Sequence, residues 1–182
     1  MKVESLELPG LKLITLDLYR DSRGYFTERF HENRFLEFGI QEKFIQDNHS
    51  FSLPGVLRGL HFQHTPPQAK LVGVIRGRIW DVVVDLRKGS TFGKFLGTEL
   101  SSQNGKLLFV PPGFAHGFCV LGDEPADVLY KVTQFYHPTG EAGIRWNDPD
   151  LKITWPIQNP NVSERDQELD LFLEHQTKFQ GL

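Results

Sequence analysis

The 17 glycines and 11 prolines of this 182-residue chain are spread along its whole length, cutting it into short runs rich in β-branched and aromatic residues. Both residue types oppose helix interiors, so long helices have little room. Short strands separated by regular turns are the pattern of an all-β sandwich or barrel. At this length one domain with a substantial core is expected, spanning 1–182, with a loose tail from about residue 176.

Taken in order, Leu11 to Leu18 reads as a strand, Asp21-Ser22-Arg23-Gly24 as a turn and Tyr25 to His31 as a second strand. In that second strand Phe26, Glu28 and Phe30 share one face. Asn33 to Phe38 reads as a short helix stopped by Gly39. Phe44 to Phe51 is extended, with Gln46, Asn48 and Ser50 on one face. Val56 to Gln63 and Ala69 to Ile75 are strands, and Arg76-Gly77-Arg78 is a tight turn. Ile79 to Leu86 alternates most cleanly, Trp80, Val82, Val84 and Leu86 against Asp81, Val83 and Asp85. Strands follow over Phe95 to Leu100, Leu107 to Val110, Gly117 to Leu121 and Val128 to Tyr136, with a Pro-Pro-Gly corner carrying His116. On strict alternation Tyr130 and Tyr136 lie on one face. Ser163 opens a helix running to about Glu174.

The chemistry concentrates between Gly55 and Leu71. Arg58, His61, Gln63 and Lys70 lie there, flanked by apolar residues. A histidine between Leu60 and Phe62 reads either as a satisfied core residue or as a base titrating near neutrality. Its two cations and the polar residues Gln46, Asn48 and Glu28 favour the base. Strict alternation sets Arg58 and His61 on opposite faces, and a bulge at Gly59 would unite them. With 20 basic and 23 acidic residues, net charge −3, no basic field suggests nucleic acid, and an anionic ligand must be met by a few local cations.

Other chemistries find less support. No H-x-H pair precedes a glutamate, and the nearest acid to His116 in sequence is Asp123, so a metal site would need distant segments. Nucleophile-elbow, dinucleotide and Walker sequences are absent. The single Cys119 excludes an internal disulfide and sits in an apolar run that suits core packing. No run approaches a membrane span and the N-terminal residues show no leader, so a cytoplasmic, soluble protein is expected. Tyr130 and Tyr136 read as ordinary strand aromatics or as a proton donor and a stacking surface. Ser163-Glu164-Arg165-Asp166 fits a capping box, and spacing alone favours a cap over pairing of Asp166 with His61.

D-S-R-G-Y-F-T-E at 21–28, Q-D-N-H-S at 46–50, G-V-L-R-G-L-H-F-Q at 55–63, D-V-V-V-D-L-R at 81–87, P-P-G-F-A-H-G-F at 111–118, Y-K-V-T-Q-F-Y at 130–136 and S-E-R-D at 163–166 occur in order over nearly the whole chain. Together they resemble the dTDP-4-dehydrorhamnose 3,5-epimerases. The resemblance implies a cupin-type jelly-roll β-barrel with a few short helices, one near the C-terminus. It also implies a homodimer and no metal or other cofactor. It implies His61 as proton acceptor, Asp166 as its partner, Tyr130 as proton donor and Lys70 beside the substrate's C4 oxygen. Arg23, Phe26, Glu28, Gln46, Asp47, Asn48, Arg58, Gln63, His116, Glu141 and Arg165 become the substrate-binding set, with Tyr136 stacking near the thymine. The implied reaction is epimerisation at C3 and C5 of dTDP-4-dehydro-6-deoxy-D-xylo-hexose, in dTDP-L-rhamnose synthesis. A single-centre epimerase or a non-catalytic nucleotide-sugar binding module are the alternatives. The chain departs from the family pattern in a His61–Lys70 interval one residue shorter than usual.

Overall fold

The computed structural model describes residues 1–174. Its strands are β1 (Lys2–Ser5), β2 (Lys12–Thr15), β3 (Tyr19–Asp21), β4 (Gly24–Phe26), β5 (Gln46–Ser52), β6 (Val56–Gln63), β7 (Lys70–Arg76), β8 (Arg78–Asp85), β9 (Phe95–Ser101), β10 (Lys106–Val110), β11 (Phe114–Val120), β12 (Ala126–Val132), β13 (Glu141–Gly143) and β14 (Asn161–Val162). Two short helices, α1 (Glu32–Glu37) and α2 (Glu164–Gln167), complete the elements. One sheet runs β1-β2-β10-β7-β12-β5 and the second β13-β6-β11-β8-β9, with β14 parallel to β6. The pair β3–β4 forms a separate antiparallel hairpin. This is the two-sheet, jelly-roll type of barrel that the sequence led us to expect.

The sheets face each other across one core, in which Val72, Val74, Leu108 and Val128 meet Ile79, Val83, Phe118 and Val120. Their outer faces are covered as well. Phe35 and Ile40 lie over Leu71, Leu107 and Phe109, while Ile144, Leu151 and Phe172 lie over Leu60, Val82 and Val84. The alternation in β8 therefore marks no wet face, and residues 81–85 are all buried. Fully burying each such Val or Leu contributes about 1.5–3 kcal/mol, so both faces hold β8 in the middle of its sheet.

The element boundaries differ from expectation where tertiary contacts override local pattern. β2 stops at Thr15 rather than Leu18, and Leu16 turns into the outer cluster. β4 ends at Phe26, not His31, because the chain leaves the hairpin to set Phe30 against Phe35 and Phe44. The helix expected over Asn33 to Phe38 appears as α1, and Gly39 at φ +72 returns its N–H to the Leu36 carbonyl. His116 lies inside β11 rather than at a corner. β12 ends at Val132, which leaves Tyr136 outside the strand. The helix expected from Ser163 to Glu174 is broken after α2, where the carbonyls of Leu169 and Asp170 bond Arg145 instead. Helical backbone resumes at residues 172–174. The loose tail expected from about residue 176 lies outside the described residues.

Candidate active site

The site begins with a mismatch between two strands. His116 of β11 stands opposite His61 and Phe118 opposite Arg58, so three steps along β6 match two along β11. The extra residue is a bulge at Gly59–Leu60, at the glycine the sequence pointed to. Gly59 holds φ +117, and a Cβ on it would come within 2.7 Å of the Gly117 Cα. A Cβ on Gly117 would in turn lie 2.6 Å from the Arg58 carbonyl oxygen. Two glycines facing each other permit this approach. The bulge resets the alternation: Leu60 and Phe62 point to the outer cluster, while Arg58 and His61 line the same cavity of about 280 Å³.

Asp166 comes to this cavity from α2. Its Oδ1 lies 2.7 Å from His61 Nε2 and its Oδ2 accepts from the Gly59 N–H at 2.9 Å. One carboxylate thus holds the imidazole and pins the bulge. Ser163 does cap α2, its Oγ accepting from the Asp166 N–H at 3.1 Å, but the Asp166 side chain is spent on β6. Only half of the capping box forms. Burial pushes the Asp166 carboxyl up; the hydrogen bond and charge of His61, the Gly59 N–H and Arg165 outweigh this and leave it below the usual carboxylate value.

Lys70 opens β7 and is almost completely buried on the cavity wall, donating to the His61 carbonyl at 3.2 Å. Burial pushes its ammonium down to about 8, against the opposing pull of Glu141 and Asp81. The short His61–Lys70 interval is taken up by the Thr65–Pro67 turn, closed by a His64–Pro67 bridge, and Lys70 still reaches the cavity. Tyr130 of β12, the strand paired with β7, lines the cavity from the same sheet as Lys70 and across from His61, and burial raises its hydroxyl above the ordinary tyrosine value. At the mouth, Glu141 Oε2 accepts from Arg165 Nη2 at 2.5 Å and from the Tyr136 hydroxyl at 3.2 Å.

The remaining residues singled out from sequence fall into three groups. Arg58 lines the cavity and is steadied by the Ser52 hydroxyl at 2.9 Å and the Phe51 carbonyl at 3.0 Å. Gln46 and Asn48 bond each other at 2.8 Å on β5, whereas Asp47 points to the opposite face and pairs with Lys131 at 2.8 Å. Gln63 is committed to backbone, donating to the Pro66 and Phe135 carbonyls and accepting from the His137 N–H. Gln46, Asp47, Asn48, Gln63 and Tyr136 are not among the residues that line the cavity, and neither are Arg23, Phe26 and Glu28. Arg23 pairs with Asp21, Glu28 with Arg34, and Phe26 is 70% exposed on the hairpin.

His116 also lines the cavity, and it is not the isolated histidine its sequence neighbours suggest. Its Nε2 lies 2.8 Å from Asp81 Oδ2, and both residues are buried. Phe118 is opposite Asp81 and His116 opposite Val83, so the pair is a diagonal one across β11 and β8. Sequence reasoning missed Asp81 as a functional candidate, although a carboxylate in so apolar a strand demands a partner. It also passed over Ser50, whose buried Oγ lines the cavity with no hydrogen-bond partner among the described residues. Its place on one face with Gln46 and Asn48 was the available signal. Among the described residues, no three His, Cys, Asp or Glu side chains are grouped as a metal ion would require.

A histidine–carboxylate pair, a buried ammonium and a half-buried phenol around one cavity define a barrel suited to moving protons on an anionic carbonyl compound. The chain belongs to the dTDP-4-dehydrorhamnose 3,5-epimerase family, whose sequence model matches residues 5–174. A family member from Methanothermobacter thermautotrophicus is 51% identical over 164 residues, covering 88% of each chain. The crystal structure of dTDP-6-deoxy-D-glucose-3,5-epimerase from Legionella pneumophila in complex with dTDP-4-keto-L-rhamnose superimposes with a TM-score of 0.89 at 44% identity, over 93% of this chain and 92% of that one. A dTDP-4-dehydrorhamnose 3-epimerase from Streptomyces niveus is 41% identical, over 96% of this chain and 85% of its own.

Proposed function

We propose that the chain is an isomerase that epimerises C3 and C5 of dTDP-4-dehydro-6-deoxy-D-xylo-hexose, yielding dTDP-4-dehydro-L-rhamnose. The observation that carries this reading is the 2.7 Å His61–Asp166 pair opening onto the cavity that Lys70 and Tyr130 share. With Nε2 bonded to Asp166, the neutral imidazole presents Nδ1 as its acceptor, a tautomer assigned from that bond. The C4 ketone acidifies the C–H bonds at C3 and C5. His61 removes one proton, the electron pair moves onto the C4 oxygen, and the Lys70 ammonium stabilises the enolate. A donor placed at such an oxyanion is worth about 10²–10³ in rate. As the C4 carbonyl re-forms, Tyr130 gives a proton to the opposite face of the carbon, which inverts it; water then takes the proton from His61 and returns one to Tyr130, and the cycle repeats at the second centre. Arg58 and Arg165 suit the diphosphate, because guanidinium remains charged and pairs bidentately with phosphate oxygens.

We further propose that the protein is a cytoplasmic homodimer that works without a metal or other cofactor. The β3–β4 hairpin exposes Tyr19, Tyr25 and Phe26, an apolar surface that a second copy would cover. A second copy would also reconcile the resemblance with the fold, since Arg23, Phe26 and Glu28 could serve the partner's cavity rather than their own. Light scattering should then report twice the 20.9 kDa of one chain.

The deciding experiment is turnover of the dTDP-keto sugar in deuterium oxide, read by NMR. Deuterium at both C3 and C5 is expected. Label at one carbon would make the protein a single-centre epimerase, a reading that the 41% identical 3-epimerase keeps in view. No label and no turnover would leave only a nucleotide-sugar binding module.

A further inference from the structure

Two carboxylates line the cavity, and they are used differently. Asp166 is consumed by His61 and Gly59, whereas Glu141 bonds neither histidine. Glu141 opens β13 opposite Gln63, two residues before Gly143 pairs with His61. Its Oε2 is clamped by Arg165 and Tyr136, so it cannot swing out to solvent without breaking both bonds. The Arg165 bond is charge-assisted and a neutral amide would accept it more weakly, so anchoring accounts for part of the carboxylate. Its fixed negative charge also reaches the other groups that line the same cavity.

We propose that Glu141 is a positioning residue whose clamped charge acts across the shared cavity on the Lys70 ammonium and the Tyr130 hydroxyl. Glu141 makes no hydrogen bond to either group among the described residues, so the influence is a field across the cavity. It is strengthened at Lys70, which is almost completely buried and so little screened by water. Several charged or titratable groups share that space. Arg58 and His61 face it from β6, His116 from β11 with Asp81 behind it on β8, and Arg165 and Asp166 from α2.

For the two proton-bearing groups the directions agree. Burial drives Lys70 down, and Glu141 is the strongest opposing influence, with Asp81 next. Burial drives Tyr130 up, Arg58 pulls it back, and Glu141 adds to the rise. The first effect favours the state the reaction uses, a charged lysine beside the enolate; the second holds the Tyr130 proton more tightly, which Arg58 opposes. The inference rests on the epimerase reading for its purpose, but not for its measurement.

The test follows the Lys70 ammonium by NMR in substrate-free protein with isotopically labelled lysine, using Lys70→Arg to identify the resonance. In Glu141→Gln the titration midpoint should fall by about one pH unit, the lower end of a close charge–charge effect. The high-pH limb of kcat should move by the same amount. In Arg165→Gln the lost cation leaves Glu141 unopposed, and the midpoint should rise. Glu141→Asp keeps the charge and should restore most of the original midpoint. An unmoved midpoint in Glu141→Gln, with both Gln variants merely raising KM, would reduce Glu141 to an anchor and overturn the proposal. If Glu141→Gln does not fold, a falling or unchanged midpoint in Arg165→Gln overturns it equally. Absence of deuterium exchange in the unaltered protein would sink the epimerase reading while leaving this titration readable.

Discussion

Two histidine–aspartate pairs flank the same cavity, nearly equal in length and unlike in setting. His61–Asp166 spans 2.7 Å, with the His61 side chain 26% exposed to the cavity. His116–Asp81 spans 2.8 Å, with His116 only 7% exposed and Asp81 not at all. Both Asp166 oxygens are bonded, one of them to backbone, whereas Asp81 Oδ1 has no partner among the described residues. The first pair is a held base with room in front of it. The second is a strut between β8 and β11, with its carboxylate sealed into an apolar strand. Identical chemistry is thus divided by access alone, because a proton can be taken only by a nitrogen that the substrate can reach.

Substitutions should separate the pairs. The largest effect is expected for His61→Asn, which should lower turnover and deuterium exchange by about 10²–10⁴-fold, with a smaller loss in urea midpoint than His116→Asn because Asp166 keeps its bond from the Gly59 N–H. Exchange that persists would remove His61 as the base. In His116→Asn the order should reverse. Leaving Asp81 buried without its partner should cost about 3 kcal/mol of stability, seen in urea unfolding, with activity falling less than in His61→Asn. Equal losses of activity in both variants would erase the distinction drawn here.

Smaller effects come from pH and chelation. As pH rises through about 8, Lys70 loses its charge, and kcat should fall up to about tenfold per unit. Asp166 gives a linkage of opposite placement. Its folded-state value is depressed, so the stability it contributes is complete above the ordinary carboxylate value of 3.8 and is lost as pH falls through the folded value. Asp166→Asn should therefore flatten the acid side of the stability curve. Exhaustive chelation should change activity least of all, by nothing measurable, and loss with rescue by one metal would revive a metal-dependent reading.

Much of this site could be read from the chain. The β6 boundaries at Val56 and Gln63 were read from the strand pattern, and the bulge at Gly59 followed from one contradiction: two polar residues wanted on one face sit three apart in that strand. A glycine between them offered the escape. Asp166 was harder, because S-x-x-D has a complete local explanation in the helix cap. Spacing supported the cap, the resemblance supported His61, and the fold divides the residue, its N–H serving the cap and its carboxylate serving β6. Asp81 was illegible as a partner for His116 because the two lie 35 positions apart, and the pairing of β8 with β11 is not written in local alternation.

The sequence by itself determined the central strands from β5 to β12 in outline, the bulge and most of the reactive side chains, since these depend on backbone preference and alternation within a few residues. Only the tertiary structure decided which carboxylate meets which histidine, where the C-terminal helix breaks, and that Arg23, Phe26 and Glu28 stand apart from their own chain's cavity. Those outcomes depend on which strands become neighbours across the sheets. Local propensity does not encode that choice; burial of the shared core makes it.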